Sequence, residues 1–472
     1  FLTYSRNSIY SSSQTSLNRS SMYGTQSPAS KRMSHSLVNG SSALDMYREA
    51  AKKTQDQRIQ LEYAKFLLQS VENLQDPAVR EDFNVTYSIY LPGNEQSSSP
   101  MPGLGGAGGN TSSASLPLGQ QATEIDPANR DKLISEAVYW IKHLQRKGNT
   151  EASYIAGTWF ESGKYGIEMD KSKALQLFTY AAKNHHAAAA YKVAVHQEDR
   201  KQTGRAFSYY QMAAALGDVS ANYRMAKVFL DGALGKKPNP KQALIYLRRA
   251  AELANEECPY GALLLGLMYL GEYANPAVYE TVFVDAEEAQ KLLDKAARLG
   301  SADAQYKLGH LFEFGEHQFP VDPFSSIHYY QLAAEQDNPE AQMALSGWYL
   351  SGAEGVLNPD DQLTFDWGHR AAQQGLPRAE FAMGYYYEMG IGCEKNINQA
   401  KDWYERAAHH GSEEAKERLK QGIVGSTSES TAALRRRVTQ KREKASGRGK
   451  RFGLTKNKEA VKDKDGSNCV VM

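Results

Sequence analysis

The residues best placed to do chemistry stand at the end of the chain, Cys469-Val470-Val471-Met472. A cysteine, two aliphatic residues and a final Met form a C-a-a-X box, and Met in the last place favours farnesyl over geranylgeranyl transfer. The reaction is attack of a thiolate on an activated prenyl group. Cys469 is then the nucleophile, with Val470, Val471 and Met472 as recognition residues for a farnesyltransferase. A single lipid chain gives marginal, reversible membrane binding, so a second signal is expected. Arg435, Arg436, Arg437, Lys441, Arg442, Lys450 and Arg451 can supply it, since each basic residue near an anionic leaflet contributes about 1 kcal/mol. The competing readings are an unmodified tail thiol, and a solvated or nuclear-localising basic run. Nucleic-acid binding is disfavoured, because the run lacks interleaved aromatics and the body of the chain is acidic.

Other residues resemble chemistry and are better explained without it. His185-His186 and His409-His410 invite a metal reading. Each pair instead follows an Ala-Ala helix, where polar or cationic groups suit the exposed C-terminal carbonyls. The run Gly103-Leu-Gly-Gly-Ala-Gly-Gly109 lacks the Lys-Ser/Thr that completes a phosphate cradle, and reads as linker. Asn84-Val-Thr86 and Asn110-Thr-Ser112 match glycosylation sequons, without effect in a cytosolic chain. Cys258 and Cys393 fall within helical units and read as packing residues. No nucleophile elbow, zinc-protease motif or dinucleotide fingerprint is present. The expectation is no catalytic residue, no metal and no cofactor.

Composition bounds the rest. The 472 residues include three cysteines, too few and too scattered for a disulfide framework and in keeping with a reducing cytosol. The longest strongly apolar stretch, Gly261 to Leu270, falls short of the roughly 18 to 20 residues of a bilayer span. No opening segment reads as a secretory signal. The formal net charge is +1, yet Arg435 to Asp465 carries 13 basic against 4 acidic residues. That local +9 leaves −8 for the remainder, an acidic body with a basic tail.

The elements behind these residues repeat. Ala-Ala pairs begin at Ala181, Ala213, Ala250, Ala296, Ala333, Ala371 and Ala407, spaced 32, 37, 46, 37, 38 and 36 residues apart. Four and three residues before each stands a bulky couple, among them Tyr209-Tyr210, Tyr329-Tyr330 and Trp403-Tyr404. That gap predicts that the first of each couple shares a helical face with the alanines. An earlier helix opens small-x-bulky-x-bulky-small, as in Ala304-Gln-Tyr306-Lys-Leu308-Gly309. One unit is a helix–loop–helix, and seven predict an all-α fold, an α-solenoid. Tyr209, Tyr210, Ala213, Tyr306, Gly309, Tyr329, Tyr330, Ala333, Trp403, Tyr404 and Ala407 are its expected packing residues. The expected organisation is a disordered Ser-rich stretch over 1–40 and a helical region over 41–148. The latter reads as a repeat interrupted by a low-complexity insert at 91–121. Repeats follow over 149–420, and a disordered basic tail over 421–472.

The Ala-x-Tyr-x-Leu-Gly opening, the Gly-x-Gly loop and the Trp-Tyr-x-x-Ala-Ala close resemble Sel1-type repeats, relatives of the tetratricopeptide repeat. The loop at Gln197 to Gln202 is shorter than that pattern, and the loop at Gly271 to Val284 longer. The lead-in Ala43-Leu44-Asp45-Met46-Tyr47-Arg48-Glu49-Ala50-Ala51, the array and the terminal box together resemble the fungal chitin synthase activator family. That resemblance implies a non-enzymatic activator and localisation scaffold of a membrane chitin synthase. It also implies a septin-linked scaffold as a further partner, and a lipid-anchored location on the cytoplasmic face of the plasma membrane at growth or septation sites. Internal-membrane vesicles are the alternative location. The alternative function is a general prenylated signalling or cell-polarity scaffold. A cell-wall hydrolase is disfavoured, because its substrate lies across the membrane.

Overall fold

A computed structural model describes residues 41–73, 127–273, 275, 281–422 and 434–445. They fall into two compact units, one ending at Leu177 and one beginning at Phe178. The stretches 1–40 and 91–121 and the terminal box lie outside the described residues.

The first unit contains α1 (Ser41–Lys53), α2 (Gln57–Asn73), α3 (Pro127–Arg146), α4 (Thr150–Ser162) and the opening of α5 (Lys171–Lys183). Although 53 residues separate their ends in the chain, α2 packs on α3. Tyr63, Ala64 and Leu67 of α2 share a buried cluster with Ala137, Trp140, Ile141 and Leu144 of α3, joined by Ala152, Ala156 and Trp159 of α4. Arg48 of α1 grips the Glu136 carboxylate of α3 through Nε and Nη2 at 3.1–3.2 Å.

The second unit is a run of short helices: α6 (Ala187–Asp199), α7 (Thr203–Ala215), α8 (Val219–Asp231), α9 (Pro240–Glu252), α10 (Tyr260–Tyr269) and α11 (Ala286–Arg298) come first. Then follow α12 (Ala302–Phe314), α13 (Pro323–Glu335), α14 (Pro339–Ser351), α15 (Asp361–Gln373), α16 (Pro377–Met389), α17 (Ile397–His409) and α18 (Glu413–Gln421). Each even-numbered helix from α6 to α16 pairs with the next, and each pair packs on the following one. This nearest-neighbour stacking is the solenoid that the alanine spacing predicts.

Local chemistry fixes the helix ends. Asp218, Ser301, Asn338 and Ser412 each accept a hydrogen bond from the third backbone N–H of the helix they open, satisfying one of its orphan donors. The partner helices open on Asn239, Asp285, Asp360 and Asn396 in the same way, and Asp322 accepts from the second residue of its helix, Phe324. Close packing fixes the separation within a pair. A Cβ placed on Gly309 would stand 2.7 Å from the Tyr330 ring, and one on Gly384 2.6 Å from the Tyr404 ring. Only glycine lets these rings lie against the helix backbone.

Two details differ from the sequence reading. In the Tyr209-Tyr210 and Tyr329-Tyr330 couples the second member, not the first, faces the core, whereas Trp403-Tyr404 buries both. Tyr210, Tyr330 and Tyr404 are almost wholly buried, while Tyr209 and Tyr329 are half-exposed. The second member lies three and four residues from the two alanines, so it shares their face. The other difference is in the basic stretch: residues 434–445 form a helix, α19, where a disordered segment was expected. Leu434 is buried beside Leu350, Ala371 and Ala372, with Val438 packed against the same cluster.

Candidate interaction surface

Three carboxylates organise the second unit, Glu313 and Glu388 buried and Glu198 partly so. Glu198, near the end of α6, accepts a hydrogen bond from the Tyr210 hydroxyl of α7 at 2.7 Å. It accepts a second from Arg224 Nε of α8 at 3.3 Å, and a third from the Nη2 of that guanidinium. Glu388 of α16 repeats this with Tyr404 of α17 at 2.9 Å and with Arg418 of α18, whose Nε stands at 3.1 Å. Glu313 of α12 accepts from the Tyr330 hydroxyl of α13 at 2.8 Å. Its arginine comes from α19: Arg442 Nε donates to Glu313 Oε1 at 2.5 Å. A carboxylate removed from water costs several kcal/mol unless charge-assisted bonds replace its hydration, and here each one receives both a hydroxyl and a guanidinium.

The electrostatics follow from burial. The hydroxyls of Tyr210, Tyr330 and Tyr404 are driven well above the usual tyrosine range, first by burial and then by the adjacent carboxylate. Burial pushes the Glu198 carboxyl up, but the bonds from Arg224 and Tyr210 outweigh it and hold the group below its ordinary value. Tyr386, which hydrogen-bonds Ser346 at 2.8 Å, is pushed up to about 12 by burial.

The basic residues of the tail therefore divide. Arg442 is 15% exposed; besides Glu313 it donates through Nη1 to Ser351 Oγ at 2.7 Å, and its guanidinium lies 3.6 Å from the centre of the Trp348 ring. Arg435 donates through Nε to the Leu350 carbonyl at 3.1 Å and through Nη2 to Asp361 at 2.7 Å. These two are docked on α12, α14 and α15, a correction to the expectation that they serve a membrane surface. Arg436, Arg437 and Lys441 are exposed. Lys450, Arg451 and Cys469-Val470-Val471-Met472 lie outside the described residues.

Among the remaining sequence-predicted residues, Ala213, Ala333, Ala407, Gly309 and Trp403 are buried and Tyr306 half-buried. Tyr306 rests against Tyr330, with ring centres 5.8 Å apart. The carboxylates, Trp348, Arg224 and Arg418 escaped the sequence reading. The signal was present: Glu198, Glu313 and Glu388 each stand nine residues after the buried alanine of their helix, Ala189, Ala304 and Ala379.

One histidine of each pair has a structural partner. His186 caps α6, its Nδ1 accepting from the Ala189 N–H at 3.1 Å, and His410 Nδ1 lies 2.7 Å from the fully buried Glu380. Among the described residues, Glu272, Glu316 and His317 gather three groups that could bind a metal. Lys307 at 2.6 Å and His317 at 3.0 Å already engage Glu272, so the cluster holds a loop together. In the first unit an open cleft of about 830 Å³ is lined by Lys142, Arg146, Trp159, Phe160, Lys171 and Lys173 among others.

Comparison with known proteins accounts for this architecture. The Sel1 repeat model matches residues 150–186, 187–218, 219–255, 259–301, 302–338, 339–376 and 377–412. Over 81% of its length the chain is 33% identical to "Chitin synthase regulator SKT5" of Malassezia restricta, and over 58% it is 35% identical to "Chitin synthase regulatory factor 3" of Schizosaccharomyces pombe. It spans 24% and 30% of those relatives. Among solved structures it is similar to a Sel1 repeat protein from Oxalobacter formigenes, at 19% identity over 86% of this chain and 97% of that one, with a TM-score of 0.45. The chain belongs to the Sel1 repeat family, with seven copies of the repeat between residues 150 and 412, and its homologues include fungal chitin synthase regulators.

Proposed function

We propose that the protein is a non-enzymatic activator and localisation scaffold of a membrane chitin synthase. The observation that carries this reading is that relatives named as regulators of that enzyme align with 58–81% of this chain, a span that takes in repeat helices. The repeats offer side chains on successive helices at a fixed spacing, an arrangement suited to gripping an extended or helical segment of another protein. A septin-linked scaffold is the further partner that the resemblance implies.

Tethering belongs to the same proposal. Farnesylation at Cys469 supplies one membrane signal, and the exposed Arg436, Arg437 and Lys441, with Lys450 and Arg451, supply the second by attraction to anionic lipids. The activator then works on the cytoplasmic face of the plasma membrane, where growth or septation takes place.

Capture with the full chain from a detergent extract of fungal membranes tests the partner, and chitin synthesis by those membranes tests activation. Recovery of a chitin synthase, with synthesis rising as the chain is added, is the expected result. Recovery of kinases or small GTPases without any glycosyltransferase would overturn the reading in favour of a signalling scaffold. Cys469→Ser tests the anchor separately: it should shift the chain from the membrane to the soluble fraction, and unchanged fractionation would remove the lipid from the proposal.

A further inference from the structure

The three Tyr–Glu–Arg clusters are built to one register with one exception. Arg224 and Arg418 each stand fourteen residues after their tyrosine, Tyr210 and Tyr404, and three after the buried alanine of their helix, Ala221 and Ala415. The same position in α14, fourteen after Tyr330 and three after Ala341, is Ala344. At this one carboxylate the next helix has no guanidinium to give. Glu313 is 7% exposed and already bonded to a buried tyrosine, a setting in which an unpaired carboxylate is strongly disfavoured. The position left empty by Ala344 is met by an arginine from 98 residues further along the chain.

The surroundings of that arginine select its chemistry. The Trp348 indole offers a face for a planar cation, Ser351 offers a hydroxyl acceptor and Glu313 a carboxylate, all within 3.6 Å of one guanidinium. A lysine ammonium cannot stack and donate in a plane at the same time. The rest of the contact is set by helical spacing. Leu434, Val438 and Arg442 follow one another at intervals of four, and Arg435 adds a bond to the Leu350 carbonyl and to Asp361. Nothing in these contacts requires that the helix belong to the same chain.

We propose that the face formed by Glu313, Trp348, Ser351, Leu350 and Asp361 is a recognition site for an arginine-bearing amphipathic helix of a partner protein, with α19 as its resident, displaceable occupant. The motif it takes is leucine, an aliphatic residue four positions on, and arginine four positions beyond that. A tethered occupant acts at an effective concentration on the order of millimolar, so a partner must offer the same contacts at high local concentration or with further ones. This inference stands on the geometry alone and does not depend on the chitin synthase reading.

The test uses the full chain and a fluorescein-labelled peptide with the sequence of residues 434–445. In the Arg442→Ala chain the site has lost its resident arginine, and the peptide should bind at least tenfold more tightly than to the wild type. Replacing the peptide's own arginine at position 442 by alanine should cost at least tenfold in affinity, and so should adding Glu313→Gln to the Arg442→Ala chain. Equal binding to both chains, binding to neither, or indifference to Glu313→Gln overturns the proposal. If Arg442→Ala loses the cooperative unfolding of the wild type, the wild-type chain decides the matter. Excess peptide must then raise hydrogen exchange in residues 434–445 by displacing them, and unchanged exchange overturns it.

Discussion

At Gly384 a single methyl group meets a ring. The added Cβ would stand 2.6 Å from Tyr404 Cδ1 and Cε1, and that ring is fixed from behind by the bond from its hydroxyl to Glu388. Gly384→Ala should therefore destabilise the protein by about 1–3 kcal/mol, the usual cost of overpacking a full core. In Gly204→Ala the new methyl meets nothing within 4 Å, so the change should be neutral or stabilising by up to about 1 kcal/mol. Urea denaturation of the two variants side by side checks both. The ionised clusters give a second prediction, in pH. Glu198 is held below its ordinary value of 4.5 despite burial, so its contribution is present above that value and is lost as pH falls through the lower folded one. Removing the guanidinium with Arg224→Gln leaves burial unopposed except by Tyr210, and the acid midpoint of unfolding should move to higher pH. An unchanged midpoint would take this pair out of the acid response.

At the scale of the element, the question is what joins one repeat to the next. Gln342 of α14 is fully buried; its Nε2 donates to the Ala334 carbonyl at the end of α13 at 3.2 Å, and its Oε1 accepts from Gln374 beyond α15 at 2.9 Å. Gln305 of α12 does the same one repeat earlier, donating to the Ala297 carbonyl at 3.0 Å and accepting from Gln336 at 2.7 Å. Gln342→Leu keeps the volume but removes both bonds, leaving the Ala334 carbonyl with the Asp337 N–H alone, so it should cost about 1 kcal/mol, read as a lower urea midpoint. Ala-Ala spacing made these helices legible, because a small pair at a fixed interval has no use outside close helix packing. The face of each aromatic couple was less legible. Tyr209 and Tyr210 both lie within one turn of the alanines, and only the position of the neighbouring helix decides between them. Trp367-Gly368 shows the same limit: the second place is a glycine, and Tyr386 from the next repeat reaches into that space, with one ring atom 2.8 Å from where a Cβ would be. Helix α19 was hidden for a different reason. Its sequence carries only Leu434 and Val438 as apolar contacts among many charges, and its order depends on an acidic pocket that exists only after α12 and α14 have folded.

For the whole second unit, that docking changes how stability is distributed. An array stabilised by nearest neighbours loses or gains order locally, and its parts open with different free energies. Helix α19 crosses that rule, because Arg442 bonds α12 and α14 while Arg435 bonds α14 and α15. It ties together helices of two successive repeats and leaves α6 to α8 to their own contacts. Loss of Arg442 leaves the Glu313 carboxylate with the Tyr330 hydroxyl alone, in a site where burial already disfavours charge. Its effect should stay near that pocket. In the Arg442→Ala chain, hydrogen exchange should speed up across α12 to α15 and in residues 434–445, while amides of α6 to α8 keep wild-type protection. Ionic strength should have a smaller effect on this contact than on the exposed Arg436 and Lys441, because Arg442 is 15% and Glu313 7% exposed and buried pairs are little screened by salt. Uniform acceleration along the whole array would show instead that the unit opens as one cooperative body, and that α19 stabilises all of it.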